Sequence, residues 1–529
     1  MIVYRVIASV ITACLFCLAT LKMLGAMQQS GYKNGAFLRW IGRKDNLQFN
    51  RLAVFSLCLA LSTAIVSLCF SFLGAKWGVL VSAVPFAVLC AFFIWADRKY
   101  ALKVKTQRTG RLCRLFAAYF VLVAAVAYCF LSLLWFLAEW NASEIYRSVA
   151  YVPYAVMPVL TPLLLCLANA ITGIFENARN KKFVKRAGQV LNETEIIRVG
   201  VVGSYGKTSV KNILKTLLSE KYSVVETPES YNTPIGIAKT VFSPAFAEKQ
   251  VLIAEMGARK QGDIRELCAL VKPDYAVFTG VCEQHMATFG SLENAWAEKG
   301  EILKCGAKKV ACGEDVYAFF ADLSEREDVI GGLCVENVSC ALTGTEFVLK
   351  IGGERIEVKT ALLGNAAVEN IRLAAALARE MGLSAEEIGR GIAKLQPVPH
   401  RLQLIENGGV YILDDGYNCN PRGAKEALGV LGTHEGRKCV VTPGIVECGV
   451  IEERVNGTLG AQIAEINADK LILVGETLVG AVKNGYMAAG GDAEKLACVK
   501  TLAEAQAALG EWVLAGDAVL FLNDLPDVY

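Results

Sequence analysis

The sequence predicts a membrane α-helical domain followed by an α/β part, made of a P-loop-type central domain and a Rossmann-like C-terminal domain. Three observations carry this. The first third is crowded with long apolar stretches. A strand-like run, Ile196 to Val202, opens into Gly203-Ser204-Tyr205-Gly206-Lys207-Thr208-Ser209 and then a helix with Val210, Ile213, Leu214, Leu217 and Leu218 on one face. Beyond it, strand-like and helix-like runs alternate, the pattern of a mostly parallel sheet covered by helices.

Composition bounds the classes. At 54% hydrophobic residues the chain is too apolar for an ordinary soluble enzyme, and 529 residues leave room for about three domains. A net charge of +3 gives no nucleic-acid footprint, so no nucleic-acid partner is expected. The 18 cysteines are scattered, with no paired zinc spacing, which fits a reduced cytoplasmic environment for the soluble part.

Five apolar segments come first, at roughly 2–24, 52–73, 79–96, 115–138 and 149–172, each about long enough to cross a bilayer. They define an expected transmembrane domain over 1–175. Lys33, Arg39, Arg43, Lys44 and Arg51 load one connection, and seven Lys or Arg between Arg98 and Arg114 load another. Arg179, Lys181, Lys182, Lys185 and Arg186 follow the fifth span, while the alternate connections hold little positive charge. The positive-inside rule puts the N-terminus outside and everything after about 173 in the cytoplasm, a multi-pass protein of the cell membrane. Trp135, Trp140, Tyr146, Tyr151 and Tyr154 read as an interfacial aromatic belt.

The glycine turn at 203–206 is built for phosphate. Glycines let backbone amides converge on phosphate oxygens, and the helix N-terminus adds partial positive charge. Lys207 neutralises outer phosphates, and the Thr208 hydroxyl suits Mg²⁺. The general P-loop has four residues between its first Gly and Gly-Lys, whereas only two separate Gly203 from Gly206. Further on, Val251-Leu252-Ile253-Ala254-Glu255 is an apolar strand ending in a carboxylate, a candidate Mg²⁺ ligand at the sheet edge where ligands bind in open α/β folds.

The short Gly-Ser-x-Gly-Lys-Thr form resembles the Mur ligase family, the ATP-dependent amide-forming ligases of peptidoglycan synthesis, and later motifs follow in order. The loop Tyr231-Asn232-Thr233-Pro234-Ile235-Gly236 is similar to the family's metal- and substrate-facing loop, which implies substrate roles for Asn232 and Thr233. Glu255-Met256-Gly257-Ala258 closely resembles the members that add a D-alanyl-D-alanine dipeptide. His285-Met286-Ala287-Thr288-Phe289-Gly290 matches a string with a metal-proximal His. In Lys299-Gly300-Glu301-Ile302 the family's lysine is carbamylated by CO₂, which makes Lys299 a carboxylate-like metal ligand. Gly364 and Asn370 are kept where the family contacts adenine, but Ala366 and Ala367 stand where His-Asn is expected.

After the break at Gln396-Pro397-Val398-Pro399, Arg401 in Arg-x-Gln implies a phosphate contact. Asp415 in Asp414-Asp415-Gly416-Tyr417-Asn418-Cys419-Asn420-Pro421 implies a ribose contact, and Asn418 a substrate contact. These motifs set a central ATP-binding domain over 176–395 and a C-terminal domain over 396–529. The tail, Asn523-Asp524-Leu525-Pro526, lacks the Lys-Gly-Ser of the dipeptide-adding enzymes. The family's UDP-sugar-binding domain is missing, and the apolar segments stand in its place.

The resemblance implies a membrane-anchored ligase using ATP and Mg²⁺. It would join an amino acid or dipeptide to a carboxylate of a peptidoglycan-type precursor, one that the lipid bilayer setting suggests is lipid-linked. The alternative is a membrane-bound nucleotide-binding scaffold whose catalysis has decayed.

Overall fold

The computed structural model describes residues 2–42, 48–70, 84, 86–95, 106–140, 152–229, 231–417, 419–475 and 477–523. The chain divides into two compact units, Met1–Lys181 and Lys182–Leu525.

The first unit is helical. Among the described residues three helices are long and apolar enough to cross a membrane: Ile2–Ala19, Gly110–Leu137 and Pro153–Glu193. The second expected stretch forms the helix Gln48–Phe70 and the third contains the apolar helix Phe86–Trp95. The rest of those two stretches lies outside the described residues. Phe16, Met27, Phe37, Leu59 and Tyr119 fill the interior, while Ile7, Ile11, Leu61, Val121, Leu133 and Phe136 are exposed. An apolar exterior of this extent suits lipid rather than water. Some interior polar groups pair with one another, which offsets the cost of burying them. Thr20 Oγ1 and the Tyr119 hydroxyl are 2.9 Å apart, and Asn169 Nδ2 donates to Asn34 Oδ1 at 2.7 Å.

One expectation changes here. Tyr154 is fully buried and its hydroxyl donates to the Ala127 carbonyl at 2.9 Å, so it is an interior residue and not part of an interfacial belt. Tyr146 and Tyr151 lie outside the described residues. The expected domain boundary at 175/176 lies within one helix, Met157–Glu193, whose polar stretch no proline interrupts, and the compact units divide after Lys181. Near that point the buried Glu176 pairs with Arg114 and with Arg179, the latter at 2.7 Å.

The second unit contains three sheets. The first comprises β1 (Ile197–Val202), β2 (Val224–Glu226), β3 (Val251–Met256), β4 (Tyr275–Phe278), β5 (Lys309–Cys312) and β6 (Val329–Gly331), in the order β2-β3-β1-β4-β5-β6. All its pairings are parallel. The chain leaves β1 for one side of the sheet and crosses to the other after β3, so the order reverses around β1. The carboxyl end of β1 is therefore the switch point at which such sheets bind ligands.

Side-chain alternation then aims the functional groups. On β3, Leu252, Ala254 and Met256 pack on one face with helix Asp263–Val271 and with Ala187 and Leu191. Val251 and Ile253 pack on the other with helices Lys207–Leu218 and Gly364–Glu380. Period-2 alternation puts Glu255 on the second face, towards the helix that begins at Lys207.

A small antiparallel meander, β7 (Val335–Ala341), β8 (Gly344–Ile351) and β9 (Glu354–Thr360), adds Phe347, Leu349 and Val358 to that core. The third sheet comprises β10 (Gln403–Asn407), β11 (Val410–Asp415), β12 (Lys438–Thr442), β13 (Lys470–Val474), β14 (Leu496–Val499) and β15 (Ala518–Leu522), in the order β10-β11-β15-β12-β13-β14. Only β10 is antiparallel to its neighbour.

On this third sheet, helices Glu452–Glu465 and Val479–Ala488 touch backbone to backbone. A Cβ added at Gly485 would lie 1.9 Å from the Gly457 carbonyl oxygen, and one at Gly460 2.0 Å from that of Val482. Gly485→Ala is expected to lose about 1–3 kcal/mol to overpacking. Gly480→Ala, in the same helix with nothing within 4 Å, should be neutral or stabilising. Thermal unfolding of the two variants checks this, and equal melting temperatures would refute the close helix contact.

Candidate functional site

The turn after β1 is held by contacts that exclude side chains. Gly203 has φ of 155°, and a Cβ there would lie 1.9 Å from Thr279 Oγ1; Gly206 has φ of 70°, and a Cβ there would lie 2.6 Å from Asn370 Oδ1. Thr279, just past β4, donates to the Tyr205 carbonyl at 2.6 Å and so fixes the turn. Helix Lys207–Leu218 starts at once, with no side-chain cap on its first amides. Those amides are left for an anion. Ser204 is 4% exposed, and its hydroxyl has no partner among the described residues. An orphaned buried hydroxyl, uncapped amides and a lysine at one turn fit a phosphate chain. Lys207 Nζ folds back onto the carbonyls of Gly203 and Ser204 at 2.7 and 3.4 Å. Burial holds its pKa down; Glu255 opposes that shift and Arg401 adds to it.

Glu255 forms the acid corner. It is 2% exposed. Thr208 Oγ1 donates to its Oε2 at 3.0 Å and Asn232 Nδ2 to its Oε1 at 3.2 Å. Thr208, Asn232 and Glu255 are thus brought together as the sequence suggests. Converging hydroxyl and carboxylate oxygens fit one hard divalent cation. Lys211 was not anticipated: its buried ammonium lies 3.5 Å from Glu255 Oε2 and donates to the carbonyls of Thr227 and Glu229. The available signal was a lysine interrupting the apolar face next to Val210. Thr233 caps helix Pro234–Val241, its hydroxyl accepting from Gly236 N at 3.2 Å.

His285 and Lys299 lie apart from this corner in their contacts. His285, at φ of 59°, is paired through Nδ1 with Glu447 Oε2 at 2.8 Å. Burial lowers its pKa against the pull of Glu447. Lys299 ends helix Leu292–Lys299 and is 3% exposed, its ammonium 5.3 Å from the Phe289 ring centroid. Burial first, and the like charge of Lys207 second, bring its pKa down to about 7. The adjacent Glu298 accepts from Gly262 N and Ile264 N at 2.6 and 2.7 Å, tying this helix to the start of Asp263–Val271. Among the described residues no group of three or more His, Cys, Asp and Glu is placed to hold a metal. Glu255, His285 and unmodified Lys299 do not form a ligand set.

Opposite the phosphate turn stands the C-terminal sheet. Asp415 ends β11 and its Oδ1 accepts from Leu402 N at 3.0 Å; burial raises its pKa to about 6. Arg401 Nη1 donates to the Tyr417 carbonyl at 2.8 Å, its guanidinium 4.7 Å from that ring. Asn418 lies outside the described residues. Between the two walls is a cavity of about 390 Å³, bordered by Gly206, Ser209, Asn370, Arg401, Asp415 and Arg422. Ile213, Leu362, Ala366, Ala367 and Val398 give it an apolar side. Two charged contacts join the walls on the His285 side: His285 with Glu447, and Arg454 with Glu283 at 2.6 Å. Neither Glu447 nor Arg454 was marked from sequence.

Residues 201–378 match the Mur ligase middle domain. The UDP-N-acetylmuramoyl-tripeptide–D-alanyl-D-alanine ligase of Bacillus subtilis is 30% identical over 290 residues, 53% of this chain and 62% of that protein. The enzyme of the same name from Treponema pallidum is 32% identical over 241 residues, 44% of this chain and 51% of that protein. The chain thus spans about half to two thirds of the length of these curated relatives. The crystal structure of MurF from Acinetobacter baumannii has the same fold, with a TM-score of 0.60 at 22% identity over 66% of this chain and 78% of that one. MurF from Thermotoga maritima in complex with ADP gives a TM-score of 0.58 at 24% identity, over 66% and 81%. The family resemblance thus rests on residues 201–378, which match the Mur ligase middle domain, and the solved structures share the fold.

Proposed function

We propose that the chain is a membrane-anchored, ATP-dependent ligase. It forms an amide between a carboxylate of a peptidoglycan-type precursor and the amine of an amino acid or dipeptide. The carrying observation is the cleft with the phosphate turn on one wall and Arg401 with Asp415 on the other. The names of the relatives support the substrate class. The apolar helices support a place in the cell membrane, and the loop charges support a cytoplasmic active site.

When bound, ATP supplies the phosphoryl group that activates the carboxylate as an acyl phosphate for attack by the amine. The chain's own residues bind and orient. Ser204, Ser209, Lys207 and the amides of helix Lys207–Leu218 hold phosphate, and Arg401 adds charge from the facing wall. Thr208 and Glu255 hold Mg²⁺. Asp415 accepts from ribose hydroxyls beside Asn370, and the apolar side of the cavity takes the base. Asn232, Thr233 and Asn418 face the acyl acceptor. The long apolar helices favour an acceptor that is lipid-linked and presented at the inner leaflet.

Lys299 is the proposed carbamate. CO₂ adds only to a neutral amine, releasing a proton, and a pKa near 7 keeps much of the amine neutral at cytoplasmic pH. The product would be a carboxylate-like ligand suited to Mg²⁺. A scaffold without turnover is the second reading, favoured by Ala366 and Ala367 at the cavity wall. The retained Lys207, Glu255, Lys299 and Arg401 weigh against it.

ADP release that needs both acceptor and amine tests the proposal, with lipid-linked and UDP-linked muropeptides compared as acceptors. Lys207→Ala should lower that release by about 10²–10³-fold with an unchanged circular dichroism spectrum. Undiminished release would refute the phosphate site. At fixed dissolved ¹³CO₂, a carbamate resonance should grow as pH rises through about 7, because the lowered pKa leaves the amine protonated below that point. Lys299→Ala should lose the resonance and nearly all activity, and short carboxylic acids should partly restore turnover. Full activity without added acid would show that Lys299 plays no such part.

A further inference from the structure

One charged cluster at the nucleotide cavity belongs to none of the roles above. Arg422 lies in the first turn of helix Pro421–Gly432, on the C-terminal wall. Its Nη1 donates to the Tyr205 hydroxyl at 2.8 Å and pairs with the Asp315 carboxylate. The Tyr205 hydroxyl in turn donates to Asp315 Oδ2 at 2.7 Å. The guanidinium lies 4.2 Å from the Tyr205 ring centroid, a cation–π distance. Tyr205 is a residue of the phosphate turn itself. Its carbonyl is held by Thr279, and a Cβ at Gly280 would lie 1.9 Å from its hydroxyl oxygen, so its ring packs tightly beside β4.

We propose that Arg422 is a positioning residue that makes nucleotide retention depend on docking of the C-terminal wall, by neutralising Asp315 beside the phosphate turn. This rests on the nucleotide site proposed above. With the wall in place, Asp315 is compensated and Tyr205 is held from both its carbonyl and its hydroxyl. With the wall withdrawn, a bare carboxylate stands beside a turn that must hold a polyanion. Like charge then weakens nucleotide binding and favours release. Both partners are about two-fifths exposed, at 40% and 43%, so the effect is a moderate one.

The test is a charge-rescue cycle read as nucleotide dissociation constants, by titration calorimetry on the full chain in detergent. Arg422→Gln should weaken ATP and ADP binding about tenfold. Asp315→Asn should bind at least as tightly as the unaltered chain. The double variant should return to within about threefold of it, although it lacks both partners. A double variant as weak as Arg422→Gln would overturn the proposal and make Arg422 a packing contact only. Arg422→Gln binding like the unaltered chain would overturn it too. Should Arg422→Gln fold poorly, Arg422→Lys and Asp315→Asn decide: retention within about threefold for both supports the proposal, and a tenfold loss in Asp315→Asn refutes it. Failure of the unaltered chain to bind any nucleotide would instead refute the nucleotide site, and this inference with it.

Discussion

The site depends on one constraint, the close approach of the turn after β1 to the end of β4. Thr279 Oγ1 occupies the space a side chain at position 203 would need, and it holds the Tyr205 carbonyl. The turn must therefore be glycine at 203, and its shape is set from outside the turn. That turn carries the orphaned Ser204 hydroxyl, the uncapped amides that follow Gly206 and the Lys207 ammonium. It also places Tyr205 where a residue of the distant C-terminal wall can reach it.

Electrostatics make the site costly to leave empty. Desolvation lowers the pKa values of Lys207 and the buried Lys299, and the like charge of Lys207 adds to the shift at Lys299. Arg401 faces Lys207 from the other wall and adds to the repulsion. The positive charge of Lys207 and Arg401, held before any ligand arrives, is what stabilisation of a phosphoryl-transfer transition state requires. Glu255 is the single buried acid of the corner that Lys207 senses directly, and Lys211 keeps it compensated.

The local part of this was legible in the sequence. The strand, glycine turn and helix from Ile196 to Leu218 appear where their pattern puts them, because turn, cap and amphipathic face are short-range properties. Glu255 was legible as a strand-end acid, and its partner Thr208 as the hydroxyl of the turn. What the sequence hid was produced by topology. Lys211 meets Glu255 only because strand alternation turns Glu255 towards the helix that carries Lys211. Arg422 reaches Tyr205, and Glu447 reaches His285, only because two sheets far apart in sequence face each other. Tyr154 read as a belt residue because aromatic composition does not distinguish a bilayer interface from a helix-packed interior. Near 175 the change from apolar to polar residues is a change of surroundings, not of backbone, and the helix continues to Glu193.

The central claim is that this cleft activates a carboxylate by phosphorylation before the amine arrives. The direct measurement is isotope transfer in a single turnover of the full chain. The acceptor carboxylate carries ¹⁸O at both oxygens, with ATP and a dipeptide amine present. The account predicts one ¹⁸O in each inorganic phosphate released, alongside ADP. Phosphate released without label, or AMP in place of ADP, would contradict it.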